Sequence, residues 1–96
     1  MSRRHYLISY DVADDKRRDK IYQALLDSGD HAQYSVFFCQ LTLQELAVLK
    51  GRLHEFTHET QDQILIVDLG KASYDVGLDV QTIGKDYNAP SRTTIV

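Results

Sequence analysis

The stretch His5-Tyr6-Leu7-Ile8-Ser9-Tyr10-Asp11-Val12-Ala13-Asp14-Asp15-Lys16-Arg17-Arg18 decides the fold, because the hydrophobic period changes inside it. From His5 to Val12 the side chains alternate, with Tyr6, Ile8, Tyr10 and Val12 on one face and Leu7, Ser9 and Asp11 on the other, which is strand periodicity. Ala13-Asp14-Asp15 then supplies a helix N-cap, and acidic groups in the first turn suit the positive end of the helix dipole. The spacing predicts a helix to about Ser28 with Gly29 as its stop. Ile21, Ala24 and Leu25, with Tyr22 at the border, make its inward stripe, and Lys16, Arg17, Asp19, Lys20 and Gln23 stay outside.

Working outward, His31 to Leu41 is rich in β-branched and aromatic residues and reads as two short strands or one bent strand. Thr42 with Glu45 three residues on forms a capping box, and Leu41 can staple onto Leu46, so a second helix starts there. Leu46, Leu49, Leu53 and Phe56 recur at helical spacing, and the polar stretch from Thr57 to Gln63 ends it. Gln63 to Leu69 is a short, continuous apolar run closed by Gly70, read as a buried central strand. Residues 71–78 read as a loop, Asp79 to Ile83 as a short last strand, 84–90 as irregular, and Thr93 to Val96 as extended. The order is that of a ferredoxin-like βαββαβ α+β sandwich with an extra C-terminal strand, an antiparallel sheet carrying two helices on one face. Covering the bare face and the strand edges by forming a homodimer is the simplest expectation.

Ninety-six residues with 43% hydrophobic content support one modest core. The expected division is a domain over 1–83 and a C-terminal tail over 84–96. The single cysteine, Cys39, excludes a disulfide framework and fits a reducing cytoplasm. No segment approaches the roughly 20 apolar residues of a membrane span. Net charge is −3, which argues against a protein that coats itself in nucleic acid. The charge is uneven, however. Residues 1–52 carry eight basic and seven acidic side chains, net +1, and residues 53–96 carry three and seven, net −4.

Several residues carry possible chemistry. Asp11, where the first strand meets a loop, can hold Mg²⁺ or Mn²⁺, which take oxygen ligands and need few protein groups when phosphate supplies the rest. Position alone equally permits a helix-cap carboxylate. Arg17 and Arg18 can grip phosphates bidentately or simply keep a helix face in water. Tyr6, Tyr10, Tyr22, Tyr34, Tyr74 and Tyr87 can stack on bases or pack as half-buried strand aromatics. His54-Glu55-Phe56-Thr57-His58 matches the H-E-x-x-H string of zinc metalloproteases. Against zinc, no histidine or glutamate follows Glu59 to act as a third ligand, and so small a domain has little room for a cleft. Gly-rich phosphate loops, C-x-x-C pairs and nucleophile elbows are absent.

Ile8-Ser9-Tyr10-Asp11-Val12, Asp14-Asp15-Lys16-Arg17-Arg18 and Gln33-Tyr34-Ser35-Val36-Phe37, at their separations, resemble the Cas-two family of CRISPR adaptation proteins. The likeness is strongest over the first 41 residues and looser beyond Gly70. It implies a ferredoxin-like homodimer in which the two Asp11 side chains face each other across a cleft and share Mg²⁺ or Mn²⁺. It implies catalytic roles for Asp11 and Tyr10 and contacts to nucleic acid from Arg17, Arg18, Lys20, Ser35 and Phe37. The implied partners are the CRISPR integrase, Cas-one, whose dimers such a protein bridges during spacer acquisition, double-stranded DNA, and single-stranded RNA. A metal-dependent endonuclease activity is implied beside the bridging role, and a stand-alone ribonuclease toxin of the VapD type resembles the same fold. Two features depart from the family pattern. His31 stands where many members have arginine. The helices also carry fewer basic residues than is usual there.

Overall fold

Strand periodicity in the first stretch becomes β1 (Arg4–Asp11), and the capping signal after it becomes α1 (Asp15–Ser28). Asp14 is the N-cap, its carboxylate accepting the backbone N–H of Arg17 at 2.9 Å. The chain continues through β2 (Asp30–Gln33), β3 (Val36–Leu41), α2 (Leu43–Phe56) and β4 (Gln63–Lys71). These elements come from a computed structural model that describes residues 2–73 and 78–87. The capping box forms as read: Glu45 N–H donates to the Thr42 hydroxyl at 3.1 Å, and Thr42 N–H to the Glu45 carboxylate at 2.9 Å.

The strands form one antiparallel sheet in the order β2-β3-β1-β4, the ferredoxin-like arrangement. Both helices lie on one face. There Tyr6, Ile8, Tyr10 and Val12 of β1 and its exit meet Phe37, Cys39 and Leu41 of β3, Ile21, Ala24 and Leu25 of α1, and Leu49 and Leu53 of α2. The ambiguous stretch from His31 resolves into two strands joined by a tight turn at Tyr34 and Ser35.

Two expectations change, and a third holds for a different physical reason. The apolar run from Gln63 is an edge strand rather than a central one. It is apolar on both faces because Ile64 and Ile66 pack against the core while Leu65, Val67 and Leu69 line the opposite face. Gly29 stops α1, but not by a left-handed turn: its φ is −166°, extended backbone open to any residue. Space is what requires glycine, since a Cβ there would collide with Cys39 Sγ and come within 2.6 Å of the Phe38 carbonyl oxygen. Finally, Asp79 to Ile83 forms no strand. Burial does not drive it into the sheet, since Val80 and Ile83 remain exposed. Thr93 to Val96, and most of the expected tail, fall outside the described residues.

Candidate functional site

Asp11 is the last residue of β1 and opposes Gln63, the first residue of β4. It lies on the face away from the helices, because Tyr10 and Val12 on either side of it are buried under them. Its side chain is exposed and makes no hydrogen bond or ion pair among the described residues.

Two arginines fix its surroundings. Arg18 lies along the chain leaving β1, donating from Nη1 to the carbonyls of Val12 and Ala13 at 3.1 Å each and pairing with Asp15. Arg17 reaches the loop that enters β4, with Nε donating to Asp62 Oδ2 at 2.7 Å, Nη2 to Asp62 Oδ1 at 3.1 Å, and Nη2 to Gln61 Oε1 at 3.3 Å. The Asp62 side chain is fully enclosed and also accepts the backbone N–H of His58 at 2.8 Å. The Arg17 fork, followed by that N–H, holds the Asp62 carboxyl below the usual carboxylate range. The two strand ends that flank Asp11 are therefore each fastened by a guanidinium to the chain next to them. Asp62 escaped the sequence reading. It lies 45 residues from Arg17, and only the folded chain brings the two together.

The other candidates are scattered. Phe37 is 0% exposed and packs its ring against Tyr10, Tyr22 and His31, with centroids 6.4, 5.6 and 4.9 Å away. It is a core residue, which corrects its assignment as a nucleic-acid contact. Tyr10 also lies in the core, on the face opposite Asp11, and burial pushes its phenol above the ordinary value. A protonated phenol on the far side of the sheet does not share a site with Asp11 within one chain. Ser35 contributes its carbonyl to β1, accepting Tyr10 N–H at 3.2 Å. Lys20 lies on the outer surface of α1 with Nζ 5.8 Å from the Phe56 ring centroid.

The charges sort by residue type. Each arginine among the described residues, Arg3, Arg4, Arg17, Arg18 and Arg52, is paired with a carboxylate of the same chain. Lys16, Lys50, Lys71 and Lys85 form no such pair among the described residues. Phosphate contact made without breaking an existing pair falls to lysines acting as point charges.

The H-E-x-x-H string does not assemble a zinc site. α2 ends at Phe56, so His54 is helical and His58 lies beyond the cap, where its Nδ1 accepts Thr60 N–H at 3.2 Å. Two imidazoles four residues apart face the same way only while the helix continues between them. No group of three potential metal ligands occurs among the described residues. Cys39 is buried, with its thiol pushed up to about 11 by desolvation, which makes it a packing group.

The face that carries Asp11 is apolar in its middle. Leu7 opposes Phe38 on one side and Val67 on the other, and Ser9 opposes Val36 and Leu65. Leu65, Val67 and Leu69 are 52%, 44% and 43% exposed. Among the described residues only Tyr87 is recorded against this surface, its ring edge-on to Phe38 at 6.2 Å. No helix among the described residues is long and apolar enough to cross a membrane.

A ferredoxin-like sheet whose second face is apolar and open among the described residues, ending in an exposed carboxylate between two arginine-fastened loops, defines a small α+β domain. The family model described as CRISPR associated protein Cas2 matches residues 4–76, and this chain belongs to that family. It is 38% identical over 64 residues to CRISPR-associated endoribonuclease Cas2 2 of Thermodesulfovibrio yellowstonii, covering 67% of this chain and 70% of that one. It is 31% identical over 91 residues to CRISPR-associated endoribonuclease Cas2 1 of Rhodospirillum rubrum, covering 95% and 88%. The crystal structure of a hypothetical protein from Thermus thermophilus superposes with a TM-score of 0.73 at 30% identity, over 90% of this chain and 99% of that one.

Proposed function

We propose that this chain works as a homodimer in CRISPR spacer acquisition, bridging two dimers of the CRISPR integrase, Cas1, and holding double-stranded DNA. The carrying observation is the sheet face opposite the helices, where Leu65, Val67 and Leu69 remain about half exposed beside Leu7 and Phe38. Completing the burial of a side chain of this size contributes about 1.5–3 kcal/mol, before the cost of association, so a second copy laid on this face has a strong driving force. In such a pair the tail over 84–96 docks on the partner subunit. Arg17 and Arg18 then act as positioning residues for the rim of the site, and the lysines supply the phosphate contacts.

Within the same dimer, Asp11 from each copy is the proposed ligand for one Mg²⁺ or Mn²⁺. The residues fit such an ion. The carboxylate offers oxygen donors, and among the described residues no cation pairs with it and no further ligands gather beside it, so a second Asp11, water and phosphate oxygens complete the set. A bound divalent ion would supply charge neutralisation and an acidified water for phosphodiester hydrolysis. The free Asp11 carboxylate favours this second, enzymatic reading, as do relatives named endoribonucleases.

One pair of measurements separates the two roles. With the integrase present in cells, the bridging role predicts that Asp11→Asn leaves spacer acquisition within a few-fold of wild type. With purified protein and Mg²⁺, the enzymatic role predicts that the same substitution abolishes cleavage of single-stranded RNA or double-stranded DNA. Wild-type protein that fails to associate with the integrase overturns the first reading, and undiminished cleavage by the variant overturns the second.

A further inference from the structure

Six tyrosines are candidates for base stacking by sequence; Tyr74 lies outside the described residues, and among the other five the fold separates one from the rest. Tyr6 and Tyr10 are core residues, and Tyr22 is half-buried against Phe37 and His31. Tyr87 lies edge-on to Phe38. Tyr34, by contrast, is 91% exposed.

Its backbone is also unusual. Tyr34 has φ +35°, the only non-glycine residue with positive φ among the described residues. A bulky side chain is disfavoured in that region, where glycine or asparagine would be the ordinary choice for the turn. The conformation is held from below by His31, whose Nε2 lies 2.6 Å from the Tyr34 carbonyl oxygen. A carbonyl only accepts, so Nε2 carries the proton. The His31 ring is in turn fixed between Tyr22 and Phe37, at 5.2 and 4.9 Å. A strained residue whose ring packs on almost nothing has no evident role in stability.

The location supplies the third observation. Register runs from Arg4↔Leu41 to Ser9↔Val36, and Tyr10 N–H bonds the Ser35 carbonyl. The next position along β1 is Asp11, and the next along the hairpin is Tyr34. The exposed ring, in the turn between β2 and β3, and the free carboxylate, at the end of β1, therefore stand at the same end of the sheet.

We propose that Tyr34 is a stacking platform for an unpaired nucleobase, setting the adjoining phosphate at the Asp11 corner. The inference rests on the nucleic-acid reading above and adds a preference to it. A ring presented on a turn can stack only on a base that has left its own stack, so the favoured ligands are single strands and frayed or overhanging ends. The turn leaves the ring exposed, and His31 holds the backbone of that turn.

The test uses the full-length protein and fluorescence-anisotropy titrations of two probes of equal charge, a single-stranded oligonucleotide and a blunt duplex. Removing one base–aromatic stack weakens binding about 5-fold to 100-fold. Tyr34→Ala should lose that much affinity for the single strand and little for the duplex, and Tyr34→Phe should retain wild-type affinity for both. Tyr34→Gly, which relieves the strain, should show the same loss of single-strand binding without a lower melting temperature. If Tyr34→Ala binds the single strand as wild type does, or loses both probes equally, the stacking role is wrong while nucleic-acid binding stands. Loss of integrase association alone would make Tyr34 a protein contact and overturn the proposal. Wild-type protein that binds neither probe overturns the proposal together with the reading beneath it.

Discussion

The two faces of this sheet are built from alternate residues of the same strands, yet they do different work. Toward the helices, β1 presents Tyr6, Ile8 and Tyr10, and β3 presents Phe37, Cys39 and Leu41, all buried. Away from them, the intervening residues Leu7, Ser9, Asp11, Val36 and Phe38 form a surface that is apolar in the middle and carries Asp11 at one end. Among the described residues, one face is finished and the other is not. Residues of the first should therefore control folding, and residues of the second association and chemistry.

The largest expected effect tests the finished face. Phe37→Ala removes a fully buried ring that contacts Tyr10, Tyr22 and His31, and should cost about 3–5 kcal/mol. That is a large share of the roughly 5–15 kcal/mol that holds a domain of this kind together. Urea titration should show the midpoint moving sharply down at every protein concentration. A variant as stable as wild type would mean that the ring is not part of the core.

Next comes the unfinished face. The double substitution Leu65→Lys with Val67→Lys places two charges where β4 is half exposed, which one chain tolerates but a face-to-face pair does not. Sedimentation should show a two-copy mass for wild type and a one-copy mass for the variant. The melting temperature should lose its dependence on concentration. An unchanged mass would break the comparison, because the open face would then not be the interface.

Acid sharpens the difference further. Several carboxylates outside the open face are held below their ordinary values: Asp62 and Asp68 chiefly by the side chains of Arg17 and Arg4, and Asp14 and Glu45 chiefly by backbone N–H groups. A carboxyl whose folded pKa is depressed contributes stability above its unfolded pKa and loses that contribution as pH falls through the folded value. Stability should be level above about pH 5 and decline below about pH 4. Thermal melts of Asp62→Asn should decline less steeply. A slope identical to wild type would remove the Arg17–Asp62 pair from the account.

How much of this was visible beforehand differs by feature. β1, α1 and the start of α2 were legible because alternation, the Asp14 cap and the Thr42–Glu45 box are local signals. β4 was placed in the middle of the sheet because an edge strand with two apolar faces has the same pattern as a central one. Gly29 was legible as the stop of α1, but the reason only glycine fits there, Cys39 ten residues on, has no local signal. Asp11 was legible as a candidate from its strand-end position and motif. The uses of Arg17, Arg18 and Phe37 were not, since ion pairing to Asp62 and burial beside His31 depend on distant parts of the chain. Nor could the tyrosines be ranked until, among the five described, one proved exposed and strained.

The smallest expected effect on folding falls at Asp11. Its carboxylate has no partner among the described residues, so Asp11→Asn should leave the stability of a single chain within about 0.5 kcal/mol of wild type. If two copies bring the carboxylates together, their repulsion opposes dimerisation until a divalent ion neutralises it. Adding Mg²⁺ should then raise the melting temperature of wild type at fixed ionic strength and leave that of Asp11→Asn unchanged, while without Mg²⁺ the variant should be the slightly more stable dimer. Equal responses of the two proteins to Mg²⁺ would separate Asp11 from any metal. A selective response would join the two faces into one argument: helix-side packing and the Arg17 and Arg18 fastenings hold the corner still, and the open face brings in the second carboxylate.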